Sequence, residues 1–222
     1  MPTATSRRAI TAAALTALLV AAPAASAKHQ PKGDSPAGTS TAPAAPAPDA
    51  CGYTGASVFA PWHDNRLYTL VPDGGFEAGA TGWTLAGSAA AGEGNETFQV
   101  GDAADHQSLG LPAGSSATSP AICVAKHADV FRFFASTSGG DKHSRLAVDV
   151  LYTNARGKSR SLRVAKLRGD AAWAPTRKLG VVLGRAKGPG EPTTASVQLR
   201  FTPLGAGDWQ IDDVYLDPRL RH

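Results

Sequence analysis

Four carboxylates, Asp73, Glu77, Asp212 and Asp213, occupy two short segments at opposite ends of one stretch of chain. Leu70-Val71-Pro72-Asp73-Gly74-Gly75-Phe76-Glu77 stands near its start, followed by Gly82-Trp83, and Trp209-Gln210-Ile211-Asp212-Asp213-Val214-Tyr215-Leu216 stands near its end. Gly74-Gly75 permits a tight turn, Phe76 then directs a ring inward, Glu77 carries a carboxylate, and Trp83 returns to the core. First and last strands of antiparallel sandwiches commonly pair, which would bring Glu77 near Asp212 and Asp213. Straight alternation puts Asp212 with Val214 and Leu216, and Asp213 with Ile211 and Tyr215. Either way one carboxylate leans toward an apolar face, where an uncompensated charge is costly. The compensating cation is an Arg or Lys, or a metal ion. Ca²⁺ suits two carboxylates plus backbone carbonyls because it takes oxygen ligands at flexible angles.

The aromatic residues are the next candidates. Trp62, in Phe59-Ala60-Pro61-Trp62-His63-Asp64, and Trp173, in Ala171-Ala172-Trp173-Ala174-Pro175, sit in proline-bearing loops. Each reads either as a ligand-binding platform on which a sugar ring stacks or as a plug over the end of a sandwich. Tyr53 has the same two readings, whereas Trp83 and Trp209 belong to core strands. From Asp141 to Lys187 twelve basic residues face three acids. That run is either a solvated face that keeps edge strands apart or a surface for an anionic polymer. Catalytic signatures are missing: there is no G-x-S-x-G, H-E-x-x-H or P-loop, and no nucleic-acid motif. His63-Asp64 is a formal acid–base pair, with simple solvation as its other reading. Asn95-Glu96-Thr97 matches a glycosylation sequon.

The elements that must position these residues are strand-like. Arg145 to Thr153 alternates, with Leu146, Val148, Val150 and Tyr152 on one side, and Asn154-Ala155-Arg156-Gly157 turns it into Ser159 to Leu167. Ala195 to Thr202 alternates as well, and Trp209 to Leu216 closes the series. Further candidates are Leu67–Val71, Trp83–Ala86, Thr97–Val100, Gln107–Leu111, Ala121–Val124, Val130–Ala135 and Thr176–Leu183. No helical periodicity persists past the N-terminal segment. Many short strands between Gly, Pro, Asn and Asp clusters point to an all-β sandwich.

The 222 residues divide into three. Residues 1–27 read as a signal peptide: Arg7 and Arg8, an apolar run from Ala9 to Ala22, and Ala25-Ser26-Ala27 for cleavage. The apolar run is shorter than a bilayer span, although an N-terminal anchor is the other reading. Ser6-Arg7-Arg8 also fits a twin-arginine signal, with Thr11 where that signal prefers a larger residue. Residues 28–50 form a Pro/Ala-rich disordered linker. Residues 51–222 hold the folded domain. The formal charge of +4 includes Arg7 and Arg8, so the exported chain is only weakly basic. Cys51 and Cys123 in an exported chain most simply form a disulfide, the alternative being two buried thiols.

Gly-Gly-Phe-Glu with Gly82-Trp83 at the start, and Ile-Asp-Asp-Val-x-Leu at the end, resemble the calcium-containing jelly-roll carbohydrate-binding modules of the galactose-binding-like superfamily. The resemblance implies a jelly-roll β-sandwich with a structural Ca²⁺ held by Glu77, Asp212 and the carbonyl of Gly75, Asp213 being the other aspartate open to that role. It implies a secreted, monomeric, non-catalytic module for an extracellular glycan or other cell-wall polymer, with no nucleic-acid partner and no stable membrane insertion. The other reading of the same residues is a structural or protein-interaction sandwich with no sugar site.

Overall fold

Sustained alternation becomes sheet. In a computed structural model, which describes residues 51–125, 130–140, 142–154, 156–181 and 194–218, thirteen strands are defined. They are β1 (Thr69–Leu70), β2 (Thr84–Ala86), β3 (Ala90–Glu93), β4 (Gln107–Leu111), β5 (Ser116–Thr118), β6 (Ile122–Ala125) and β7 (Val130–Ser138), then β8 (Arg145–Thr153), β9 (Ser159–Leu167), β10 (Ala174–Pro175), β11 (Leu179–Gly180), β12 (Thr194–Leu204) and β13 (Asp208–Asp217). The one helical element among the described residues is a 3₁₀ turn at Ala60–Trp62. The expected signal peptide, the linker and the basic residues Arg185 and Lys187 lie outside the described residues.

The strands form two antiparallel sheets, the jelly-roll β-sandwich expected. The first runs β10-β7-β13-β4-β3, with β1 also on β13 and β11 on β7. The second runs β2-β5-β12-β8-β9, with β6 also on β12. Inward residues of both make one core, including Leu109, Phe131, Phe133, Trp209 and Ile211 from the first sheet and Val148, Val150, Leu199 and Phe201 from the second.

The two ends meet as expected. Thr69 lies opposite Leu216 and Leu70 opposite Tyr215. Beyond β1 the pairing continues through Val71 N–H to Val214 O and Val214 N–H to Gly74 O, both 3.0 Å. Phe76 is fully buried in the core with Ile211. The Trp83 ring meets Phe76 edge-on at 5.0 Å, and its Nε1–H donates to Pro72 O at 3.1 Å. Cys51 and Cys123 form the disulfide, with Cα atoms 5.8 Å apart, tying the head of the domain to β6.

Three departures have physical causes. Thr97–Val100 is not a strand, because the Glu96 carboxylate takes the N–H groups of Phe98 and Val100 that a ladder would need. Thr176–Leu183 contracts to Leu179–Gly180, its last two residues lying outside the described residues. β3, β5 and β10 carry no alternating apolar pattern, and β10 is an edge pair in which Pro175 is tolerated.

Candidate functional site

The carboxylates gather where β13 bulges. The register of β13 against β7 shifts between Asp212 and Tyr215, with Asp213 in the left-handed region at φ 50°. Aspartate tolerates that region better than most residues. The extra residue breaks the alternation, so Val214 and Leu216 join Trp209 and Ile211 in the core. Asp212 therefore does not share a face with Val214 and Leu216, as straight alternation required.

Asp212 is fully buried. It accepts from the Glu96 N–H at 3.0 Å and the Asp213 N–H at 2.8 Å. Burial, with the charges of Asp213 and Glu96 added, pushes its carboxyl up to about 8 against those two hydrogen bonds. Burial also pushes Asp213 up to about 7, helped by Glu96, Asp105 and Glu77 and opposed by a hydrogen bond from the Gly101 backbone. Asp105 is raised as well, by burial and then by Glu77 and Asp102. Gly101 admits this crowding, since a Cβ there would lie 2.4 Å from Asp105 Oδ2 and 3.3 Å from Asp213 Oδ1. Glu77 Oε1 accepts from the N–H groups of His106 (2.9 Å) and Gln107 (2.7 Å). Its Oε2 lies 3.1 Å from His106 Nδ1.

Of the expected set Glu77, Asp212 and Gly75, the structure brings Glu77 and Gly75 toward Asp213. A Cβ on Gly75 would lie 3.4 Å from Asp213 Oδ1, whereas Asp212 faces the Glu96 backbone. Glu96, only 1% exposed, is the member that sequence reasoning missed. Among the described residues no Lys or Arg pairs with Glu96, Asp105, Asp212 or Asp213. No three His, Cys, Asp or Glu side chains there converge as a ready metal cage. The donor set and the uncompensated buried charge fit a hard cation that also takes carbonyl and water oxygens, as Ca²⁺ does.

Beside this end, the outer face of the first sheet is covered by aromatics. Phe59, Tyr68, Phe134 and Tyr215 form a second buried cluster against which Trp62 and Trp173 pack half-buried. Trp62 meets Phe134 at 5.4 Å and Phe98 at 4.9 Å, the latter with planes at 89°. Below them, Asp64 is not solvated. It is 4% exposed, accepts from Tyr68 Oη–H at 2.8 Å, and pairs with Arg132 and Lys178, each at 3.0 Å. Burial opposes ionisation of Asp64, but these three partners hold its carboxyl below the ordinary range. Adjacent His63 is exposed and caps the 3₁₀ turn.

The second sheet is different. Register places Thr84, Thr118, Arg200, Asp149 and Arg163 in one row across five strands. Their sequence neighbours Val148, Val150, Leu199 and Ala117 point into the core, so the row lies on the outer face. Asp149 is 2% exposed. Arg163 grips it with a two-pronged contact, Nε to Oδ1 at 2.8 Å and Nη2 to Oδ2 at 3.0 Å. Arg200 Nη2 adds a third contact at 3.2 Å and reaches Ser161 Oγ at 3.4 Å. The Arg163 hydrogen bonds, then those of Arg200, hold the Asp149 carboxyl low against burial. Two guanidinium groups are thereby held on a face that also carries Thr118, Ser161, Gln198 and the apolar Leu151.

The class these features define is a two-sheet antiparallel sandwich with an acidic strand-end cluster and one polar sheet face. No protein-family model and no curated protein matches the chain. Among solved structures it is similar to TmCBM61 in complex with beta-1,4-galactotriose, at 21% identity and TM-score 0.37 over 66% of this chain and 96% of that one. It is also similar to the CBM22-1 xylan-binding domain of Paenibacillus barcinonensis Xyn10C, at 17% identity and TM-score 0.43 over 68% and 92%. The enzymatically active domain of bacteriophage CBA120 tailspike protein 4 is similar at 15% identity and TM-score 0.43 over 66% of this chain, which spans 21% of that one.

Proposed function

We propose that the chain is an exported, monomeric, non-catalytic binding module whose second sheet presents its outer face to an extracellular glycan or other cell-envelope component. One observation carries this: Asp149 locks Arg163 and Arg200 into fixed planes beside hydroxyl side chains. Sugar hydroxyls both donate and accept, and they are recognised by planar polar groups whose ordering cost is already met. The disulfide supports an oxidising compartment. Asp64 and Asp149 are committed to cations and Glu96 to backbone amides, which supports a binding role over hydrolysis. A structural Ca²⁺ at the strand ends belongs to the same reading, held by Glu77, Asp213 and the Gly75 carbonyl, with Asp212 and Glu96 behind them. Bound there, it would neutralise the buried carboxylates. The protein-interaction alternative has little apolar surface to use, as among the described residues the exposed large apolar side chains are Leu70 and Phe98.

A glycan array tests the reading. The wild-type chain is expected to bind at least one envelope or plant-wall polysaccharide. Arg163→Ala with Arg200→Ala removes two charge-assisted donors, each of about 1.5–3 kcal/mol, and should weaken binding more than tenfold. A folded wild type that binds no glycan would favour the protein-interaction alternative.

A further inference from the structure

Where edge strands β9 and β10 of the two sheets meet, two adjoining clefts of about 600 Å³ and 480 Å³ share Arg168, Gly169 and Asp170. We propose that they form one groove for an anionic glycopolymer, bound through its carboxylate or phosphodiester groups. This site borders β9 of the second sheet but includes none of Thr118, Asp149, Arg163 and Arg200, and does not rest on the reading given to that face.

Charge carries the inference first. Lys142, Arg145 and Arg168 line one cleft, and Lys166, Arg168 and Arg177 line the other, with Asp170 the one acid lining them among the described residues. Lys142, Lys166, Arg168 and Arg177 are exposed, and Arg145 is half-buried, its Nη1 donating to the Lys142 and Ser144 carbonyls. None has an ion pair among the described residues, whereas Arg66, Arg132, Arg163, Lys178 and Arg200 are all paired. Unpaired cations also occur on the hairpin at Arg156 and Lys158, but those project from a tip and line neither cleft.

The groove is also built. A Cβ on Gly169 would lie 2.4 Å from Thr137 Cγ2 and 2.6 Å from Trp209 Cη2, so only a glycine lets the loop press onto its floor. Thr137 N–H donates to Asp170 O at 2.8 Å, fixing the segment that presents Arg168. The wall includes Trp209, 1% exposed. Concave shape and unpaired positive charge together suit a ligand rich in anionic oxygens.

The test measures binding of the full chain to polygalacturonate, a carboxylate polymer, and to poly(glycerol phosphate), a phosphodiester polymer. The wild type should bind at least one, the stronger of the two naming the charged group, and binding should weaken about tenfold as salt rises from about 50 to 200 mM. Arg168→Glu with Arg177→Glu should cost at least tenfold. Arg156→Glu with Lys158→Glu, the same change of charge on the hairpin tip, should stay within about twofold of wild type. Failure of the wild type to bind either polymer, or an equal loss in the hairpin variant, would overturn the proposal. Neither Arg168 nor Arg177 belongs to the second sheet, so failure here leaves the glycan-array result standing.

Discussion

Stripping calcium with EDTA should lower the melting temperature by about 10 °C at pH 8 and by much less at pH 5. A ligand bound only by the folded state stabilises it by about 4 kcal/mol at a thousandfold excess over Kd, and a domain this size shifts by about 2–4 °C per kcal/mol. The pH dependence follows from the carboxyls. Asp212 and Asp213 are raised to about 8 and about 7 from an ordinary value of 3.8. Between the ordinary and the folded values the metal-free folded state binds protons that the unfolded chain has released. Their contribution to stability is therefore full below about pH 4 and is lost as pH rises through about 7–8. A cation takes the place of those protons, so its effect grows with pH. Asp213→Asn should abolish the calcium response. Identical melts at pH 8 with and without chelator would remove the metal from the account.

Asp64→Ala should cost about 3–5 kcal/mol, read as a fall of roughly 10 °C in melting temperature. The carboxylate joins the segment before β1 to β7 and to the stretch after β10, through Tyr68, Arg132 and Lys178. Lys178, 41% exposed, would turn to solvent. Arg132, 7% exposed, could not. It lies 4.2 Å over the Phe59 ring, with Nε donating to Thr176 O at 2.8 Å. The damage is an uncompensated buried charge, so Asp64→Leu combined with Arg132→Met should recover part of the loss. A neutral single variant would show that this network does not hold the aromatic cap in place.

Legibility in the sequence tracked how far a pattern ran unbroken. β8 matched residue for residue because alternation over nine residues leaves one register with a buried face, and β9 followed from the turn after it, although its register shifts beside Asp149. The meeting of β1 and β13 was legible in Gly74-Gly75-Phe76 and in the apolar alternation of the last strand. The bulge was not, because Asp212-Asp213 reads as ordinary alternation until one residue takes a positive φ. Glu96 sits in a glycine-rich loop, and nothing local shows that its neighbours' amides will turn to its carboxylate. Trp62 and Trp173 were visible as loop aromatics, but their seat on Phe59 and Phe134 depends on loops meeting over a sheet. The Asp149 lock could not be read at all, since Arg163 and Arg200 come from strands on either side of β8.

The placement of binding on the second sheet is tested most directly by an NMR titration of the domain with the strongest glycan-array ligand. Amide shifts are predicted to concentrate in β5, β8, β9 and β12 around Thr118, Asp149, Arg163 and Arg200. Shifts confined instead to residues 59–64, Phe98 and Trp173 would contradict it and put the ligand on the aromatic cap.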